Sequence, residues 1–322
     1  MAKIKKFISI DFGATFIKLG IVDSNGLILE KRSFETKRFV KREALIAEIL
    51  SQTRSLNNGD IAAISGVGVG VPGPVDYDKG IIFNLTNVKG FRGLKLRSIL
   101  QRSLGIPVFL DNDANAACLG EAEWGAAKGK KYVMCITLGS GVGGGVILNG
   151  QIYRGRSYSA AELGHICIDR FGPECGCGSV GCLEAYAGNS YIVNEVGRRL
   201  KNGERSSVVR LAKGDLKAIT PELLYKAAKA GDKFSRKIWA QVGYNLGIGL
   251  ASIVNIINPE VIVIGGGVSK AGEMLLDPME ETLRSKAMPI FTKGLKIRKA
   301  KFVEMAGLIG GAALAKKGLA GI

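Results

Sequence analysis

The sequence predicts an α/β protein built from two units of related construction, and three features carry that expectation. Apolar runs such as Val261-Ile262-Val263-Ile264 read as strands buried on both faces, and they alternate with segments of helical periodicity. One strand-turn-strand pattern occurs twice, about 125 residues apart. Three glycine-rich turns follow directly on buried strands. A chain of 322 residues has the length of about two ordinary domains, and with 47% hydrophobic residues and no low-complexity tract each can bury its own core.

The first copy of the repeat is Lys5 to Thr15, then Gly20-Ile21-Val22 and Asn25-Gly26; the second is Lys131 to Gly141, then Gly145-Val146-Ile147 and Asn149-Gly150. Each reads as a strand, a tight glycine turn, a second strand and a hairpin turn at Asn-Gly. Between them, Leu45, Ile46, Ile49 and Leu50 share a helical face, and Ile64 to Val71 reads as a strand ending at Pro72-Gly73-Pro74. Val108-Phe109-Leu110 reads as a strand that delivers Asp111-Asn112-Asp113 to an alanine-rich helix, Ala114 to Ala127. Further on, Ile238, Val242, Leu246, Leu250, Ile253 and Ile257 mark a helix stopped by Asn258-Pro259, and the strand after it feeds into Gly265-Gly266-Gly267.

The formal charge is +17, spread over short clusters (Lys3 to Lys6, Lys37 to Arg42, Lys128 to Lys131, Lys296 to Lys301) that alternate with apolar residues. That distribution makes solvated faces with a field favouring a polyphosphate substrate and non-specific nucleic-acid binding in vitro, rather than a dedicated nucleic-acid arm. The apolar stretch from Val242 to Val268 is interrupted by Asn245, Asn255, Asn258, Pro259 and Glu260, so it lacks the roughly 20 uninterrupted residues of a membrane span. We expect a soluble protein with no membrane partner. No signal peptide precedes the first strand, which points to a reducing, cytoplasmic setting with free thiols.

Glycine lets backbone N–H groups approach phosphate oxygens, and three such turns point to nucleotide binding: Asp11-Phe12-Gly13-Ala14-Thr15, Thr137-Leu138-Gly139-Ser140-Gly141-Val142-Gly143-Gly144-Gly145, and Gly265-Gly266-Gly267-Val268-Ser269. None is a Walker A loop, since no Gly-Lys-Ser/Thr follows. Asp11 is placed to hold Mg²⁺ through water or to close an Asx turn, and Lys18 to reach a phosphate or lie in solvent. Asn112-Asp113 is the best catalytic candidate, a carboxylate between strand end and helix start able to accept a proton from an alcohol. The competing role there is helix capping.

His165 is the only histidine, and with Cys175, Cys177 and Cys182 it supplies a Cys₃His set within eighteen residues, the grouping of a closed structural zinc site. Cys118, Cys135 and Cys167 lie in apolar stretches and read as small core residues. Glu162 and Glu184 bracket the metal ligands and suit bidentate hydrogen bonds to adjacent sugar hydroxyls. His165 can bind zinc through one ring nitrogen and donate from the other.

Together these residues resemble the ROK family of bacterial sugar kinases, repressors and open reading frames, most closely its glucokinase branch. The motif Glu162-Leu163-Gly164-His165 followed by Cys175-Gly176-Cys177-Gly178-Ser179-Val180-Gly181-Cys182-Leu183-Glu184 matches the family signature without a gap. The resemblance implies a two-lobed actin- and hexokinase-like (ribonuclease H-like) fold with central mixed sheets and a structural zinc loop. It implies a cytoplasmic, glycolytic phosphotransferase that uses ATP and Mg²⁺, as a homodimer or homotetramer. Asp113 would be the general base. Asn112, Asp113, Glu162, His165 and Glu184 would bind the sugar. Asp11, Gly13, Ala14, Thr15 and Lys18, with Thr137, Gly139, Ser140 and Gly141, would enclose the phosphates, and Gly265, Gly266 and Gly267 would line the adenosine. The lobes would comprise residues 1–120, with a C-terminal helix at about 305–322 packing back on them, and 121–304 with the zinc loop and the dimer surface. Ala14 replaces a frequent second glycine and Ser140 a usual threonine. The region after Asn84-Leu85 lacks a frequent tryptophan, so the choice among glucose, N-acetylmannosamine, mannose, fructose and allose stays open.

Two rivals belong to other classes. A sugar-responsive repressor needs an N-terminal helix-turn-helix, and the first strand begins near Lys5, leaving no room for one. A zinc-built nucleic-acid binder needs basic residues beside the metal loop, yet between Glu162 and Glu184 Arg170 is the one Lys or Arg.

Overall fold

The structure is a computed structural model that describes residues 4–85, 88 and 90–321; Lys3 of the first lysine cluster lies outside the described residues. Strands β1 (Lys6–Phe12) and β2 (Phe16–Asp23) form an antiparallel hairpin with Ile8, Ile10, Ile17 and Leu19 fully buried. The turn at Asn25-Gly26 closes on Asp23, whose Oδ1 accepts from the Asn25 and Leu27 N–H groups at 2.8 and 2.9 Å, and leads to β3 (Ile28–Glu35). Helix α1 (Arg42–Arg54) buries Leu45, Ile46 and Ile49, as their spacing requires, and precedes β4 (Gly66–Val71). After the short strands β5 (Val75–Asp76) and β6 (Ile81–Ile82), α2 (Leu96–Leu104) ends at the left-handed Gly105. Strand β7 (Val108–Asn112) then passes straight into α3 (Asp113–Trp124). The sheet order is β3-β2-β1-β4-β7 with β1, β4 and β7 parallel, so Asp11, Gly70 and Asp111 stand side by side at the C-terminal ends of their strands.

The pattern then recurs. Strands β8 (Val133–Leu138) and β9 (Val142–Leu148) flank the second glycine turn, and Asn149 and Gly150, at φ 52° and 80°, make the turn to β10 (Gln151–Ile152). Beyond the cysteine-rich loop come α4 (Glu184–Ala187), α5 (Asn189–Lys201), α6 (Val208–Leu211), α7 (Pro221–Lys229) and α8 (Lys233–Ile257). Asn258 ends α8 in the left-handed conformation, directly before Pro259. Strand β11 (Val261–Gly265), α9 (Glu273–Lys286), α10 (Pro289–Thr292), β12 (Lys296–Lys299) and α11 (Ala306–Leu319) complete the chain, and the second sheet runs β10-β9-β8-β11-β12. By length and composition α8 could cross a membrane, but half of its most apolar stretch is buried inside the protein, as in a core helix. Gly243 and Gly247 let it approach the α9 backbone, since a Cβ at either would lie 2.4 or 2.6 Å from the Leu275 or Met279 carbonyl oxygen.

The chain divides into two compact units: Met1–Cys135 with Gly145–Ala161 and Ala300–Ile322, and Ile136–Gly144 with Glu162–Lys299. The first therefore extends past the residue-120 boundary read from the sequence, because β8 and β9 each begin in one unit and end in the other.

In the first unit α11 lies on β1, β4 and α3 at backbone contact distance. A Cβ on Gly68 would sit 1.8 Å from the Gly311 carbonyl oxygen, and one on Gly310 would sit 2.5 Å from the Ala116 carbonyl. Gly307 faces the Asp11 carboxylate, which a Cβ would meet at 2.2 Å. We expect Gly68→Ala to destabilise the protein by about 2–3 kcal/mol, since neither backbone can yield locally; chemical denaturation measures this. In the second unit, Asp232 caps α8 through Ser235 N–H and also accepts from Ser206 Oγ and Ser207 N–H at 2.7–2.9 Å. Burial pushes its carboxyl up, but these hydrogen bonds outweigh it and leave it lowered to about 2. A depressed carboxyl contributes stability above its unfolded value and loses it as pH falls toward the folded one. Asp232→Asn should therefore cost about 1 kcal/mol at pH 7, after discounting for solvent exposure, and the difference from wild type should vanish between about pH 4 and pH 2 in acid unfolding.

Candidate active site

The first glycine turn is tied down by a residue that no sequence motif singles out. Buried Thr36 donates its hydroxyl to the Gly13 carbonyl at 2.7 Å, and its N–H to the Thr15 carbonyl at 2.9 Å. Asp11 ends β1 beside this turn, with Lys18 Nζ 3.7 Å from its Oδ2 on the paired strand. Burial raises the Asp11 carboxyl above its ordinary value, against the pull of Lys18. Its place at the first turn of α11 favours negative charge there.

At the end of β7, Asp111 is buried, with a side chain 1% exposed. Its Oδ2 accepts from Arg154 Nε at 2.8 Å; its Oδ1 accepts from Asn112 N–H at 2.8 Å and Asn115 Nδ2 at 3.1 Å. Burial raises this carboxyl, and Arg154 is the strongest influence lowering it. Asn112 is the N-cap of α3: its Oδ1 accepts from Ala114 and Asn115 N–H, while its Nδ2 donates to the Gly73 carbonyl at 3.3 Å. Capping thus falls to Asn112, and Asp113 takes the first helical position, its Oδ1 accepting from Ala114 N–H at 2.8 Å. Asp113 stands over Gly70, where a Cβ would lie 3.5 Å from the Asp113 Cα.

In the second unit the glycine segments meet. Gly266 has φ 85°, and a Cβ there would lie 2.2 Å from the Leu138 carbonyl oxygen, so glycine is required for the end of β11 to approach the end of β8. Gly139 accepts at its carbonyl from Asn189 N–H at 2.9 Å. Ser269 Oγ donates to the Gly266 carbonyl at 2.7 Å, while Gly267 faces open space. Glu184 closes the group: its Oε2 accepts from Val142 N–H at 2.9 Å, and Gly141 has no room for a Cβ beside that oxygen. Thr137, Gly139, Ser140, Gly141, Gly265, Gly266, Gly267 and Glu184 therefore form one neighbourhood.

The ligand atoms of His165, Cys175, Cys177 and Cys182 all lie within 4.8 Å of one another. Cys177 and Cys182 Sγ are 3.7 Å apart, and His165 Nδ1 is 3.7 Å from Cys175 Sγ. A tetrahedral cation with metal–sulfur bonds of about 2.3 Å separates its ligands by about 3.7 Å, so the four donors fit one. Burial, then the neighbouring thiols, push Cys182 up to about 12; burial raises Cys175; the Ser179 backbone N–H lowers Cys177. A cation stabilises thiolates, so its capture releases protons. The other ring nitrogen, His165 Nε2, lies 4.0 Å from Glu162 Oε2, with both side chains partly open to solvent. Cys118 and Cys135 are buried as expected, but Cys167 is exposed. It lies in an extended stretch where Ile166 and Ile168 turn inward, so alternation carries the thiol to solvent.

Asp11 to Lys18, Asn112 and Asp113 belong to the first unit, and Thr137 to Gly141, Glu162, His165, Glu184 and Gly265 to Gly267 to the second. Residues 7–318 match the ROK family. The chain belongs to the ROK family. It is 36% identical to a glucokinase of Thermotoga maritima over 98% of this chain and 99% of that one. It is similar to the structure of a ROK family glucokinase from Streptomyces griseus in complex with glucose and AMPPNP: 32% identity, TM-score 0.83, 98% of this chain and 100% of that one. A ROK family transcriptional regulator, a homologue of the Escherichia coli Mlc protein, superposes with TM-score 0.88 at 28% identity, covering 98% of this chain and 78% of that one.

Thr36 and Arg154 are the residues of this ROK chain that its sequence motifs do not reveal, because each acts on a partner more than twenty residues away. For the ROK cysteine loop we expect Co²⁺ to give the visible absorption and thiolate charge-transfer bands of a tetrahedral site. Cys177→Ser should weaken metal retention against a chelator beyond the roughly hundredfold reached by outer-shell changes.

Proposed function

We propose that the chain transfers the γ-phosphoryl group of ATP to the 6-hydroxyl of glucose, with Asp113 as the general base. Membership of a family with glucokinase relatives supports a sugar kinase. The observation that supports the finer reading is the register Asp11–Gly70–Asp111, which brings the start of the first glycine turn and the β7–α3 junction to the same end of the sheet, about 10 Å apart by two strand spacings.

In this reading the N–H groups of Ala14 and Thr15 and of Ser140 and Gly141 receive phosphate oxygens, those of Gly13 and Gly139 being bonded to the Phe16 and Gly141 carbonyls, and Gly267, which faces open space at the end of the Gly265 to Gly267 run, leaves room for the nucleoside. Lys18 adds positive charge beside them. Mg²⁺ neutralises the charge of the transferring group when bound, and Asp11, raised by burial beside the phosphate turn, is the carboxylate placed to hold it through water. Asp113 takes the proton of the attacking hydroxyl, and Asn112, fixed by its capping bonds, orients the sugar. Glu162, His165 and Glu184 accept or donate to ring hydroxyls. Glu184 Oε2 accepts from Val142 N–H and Oε1 lies 3.7 Å from Cys175 Sγ, so a sugar hydroxyl would share Oε1 with that thiol. His165, Cys175, Cys177 and Cys182 would hold a structural Zn²⁺, which would fix the His165 tautomer. A homo-oligomer contact falls on the second unit, where exposed Ile256 and Met288 adjoin through the Met288 N–H bond to Asn255 Oδ1.

A coupled ADP-release assay with ATP, Mg²⁺ and a panel of hexoses and N-acetylhexosamines tests the reading. Glucose should give the highest kcat/KM; a preference for N-acetylmannosamine, mannose, fructose or allose would reassign the substrate. Sugar binding in calorimetry without turnover would make the chain a sensor. Asp113→Ala should keep circular dichroism and metal content while kcat falls about 10²- to 10⁴-fold. Unchanged turnover in that variant removes Asp113 from the mechanism.

A further inference from the structure

We propose that Arg154 is a positioning residue for phosphoryl transfer, fixing both the strand end that carries Asn112 and Asp113 and the segment that runs into Glu162. The inference rests on the kinase reading above and extends it to a residue outside the family signature.

The first half of the argument concerns Asp111. Its Oδ1 receives the Asn112 N–H and the Asn115 side-chain amide, so this carboxylate templates the turn from β7 into α3. A carboxylate this deeply buried stays ionised only with a cationic partner. Arg154, 16% exposed, is that partner, with Nε 2.8 Å from Oδ2. Its guanidinium also lies 3.6 Å from the centre of the Tyr77 ring, which fixes its plane. Tyr77 is fixed in turn, as Arg97 Nη1 donates to its carbonyl at 3.1 Å.

The second half concerns the chain after Arg154. The Arg154 carbonyl accepts from Ala160 N–H at 3.1 Å and closes the segment into a loop. Tyr158 donates its hydroxyl to the Asp78 carboxylate, so the loop is pinned at both its start and its tip to the β5–β6 hairpin. Tyr158 and Ala161 have φ of 59° and 64°, a conformation that non-glycine residues keep only when their surroundings enforce it. Ala161 directly precedes Glu162, the first sugar-binding carboxylate. One guanidinium thus governs the approach of both the base and a sugar ligand. Lysine would replace it only in part, since a point charge pairs with Asp111 but offers neither the planar stack nor a fixed N–H direction.

The test compares wild type with Arg154→Gln, Arg154→Lys and the double variant Asp111→Asn/Arg154→Gln, measuring kcat, both KM values, hexose affinity by calorimetry, and Tm. Arg154→Gln should lower kcat by about 10- to 100-fold and raise hexose KM, while KM for ATP stays within about twofold; Arg154→Lys should fall between it and wild type. The double variant removes the unpaired buried charge, so Tm should recover while kcat does not. Wild-type kcat and hexose KM in Arg154→Gln, or a kcat that recovers together with Tm in the double variant, would overturn the inference. If wild type binds hexose without turnover, the kinase reading fails, and equal hexose affinity in Arg154→Gln then overturns this inference too. A wild type that neither turns over nor binds hexose overturns both.

Discussion

Backbone contact between α11 and the first sheet fixes the end of β1, before the first glycine turn, and the helix that begins at Asp113. Gly311 and Gly68 bring helix and strand together with no side chain between them, and Gly310 does the same for α11 and α3 at Ala116. The same helix leaves, at Gly307, the space that the Asp11 carboxylate fills. A helix from the end of the chain therefore fixes the end of β1 and the helix that begins at Asp113. Contact at this distance leaves no slack, so a displacement of the helix reaches both ends of the proposed reaction.

Buried carboxylates serve throughout as templates for backbone rather than as partners for one another. Asp111 shapes the β7–α3 turn. Glu121, 4% exposed, accepts from Ala126 N–H at 2.7 Å and Phe302 N–H at 2.8 Å, anchoring the chain just before α11. Half-buried Glu184 does the same, receiving Val142 N–H beside the second glycine turn. An ionised acceptor roughly doubles the strength of such a hydrogen bond, which suits loops that have no regular ladder to hold them. Asp111 has the additional need for a cation, being almost fully enclosed, and only Arg154 supplies one among its bonded partners.

The second unit joins its cysteine loop to its glycine turn through Glu184. One oxygen holds Val142 N–H, and Cys175 Sγ lies 3.7 Å from the other. Tyr191 of α5 adds a second link, its hydroxyl accepting from Gly176 N–H at 2.8 Å within the cysteine loop. Gly181 lets the loop fold back on itself, as a Cβ there would lie 1.6 Å from the Asp169 carbonyl oxygen. A cation held by the four ligands would therefore be linked to the second glycine turn through Glu184.

The sequence by itself determined what depends on near neighbours in the chain. The Cys₃His set was legible because its four ligands fall within eighteen residues, and the strand-glycine-strand repeats because alternation and turn chemistry are local. The end of α8 at Asn258-Pro259 and the handover from β7 to α3 at Asn112-Asp113 were legible for the same reason. Tertiary structure alone decided what depends on distant segments. Arg154 meets Asp111 across 43 positions, Thr36 reaches Gly13 across 23, and the glycines of α11 acquire meaning only against Gly68 and Ala116. Cys167 looked like core by its apolar neighbours, yet the phase of an extended segment put it in solvent. Local patterns fix which face of an element is apolar and where it stops, but close approach and charge pairing are set by packing, which no local pattern encodes.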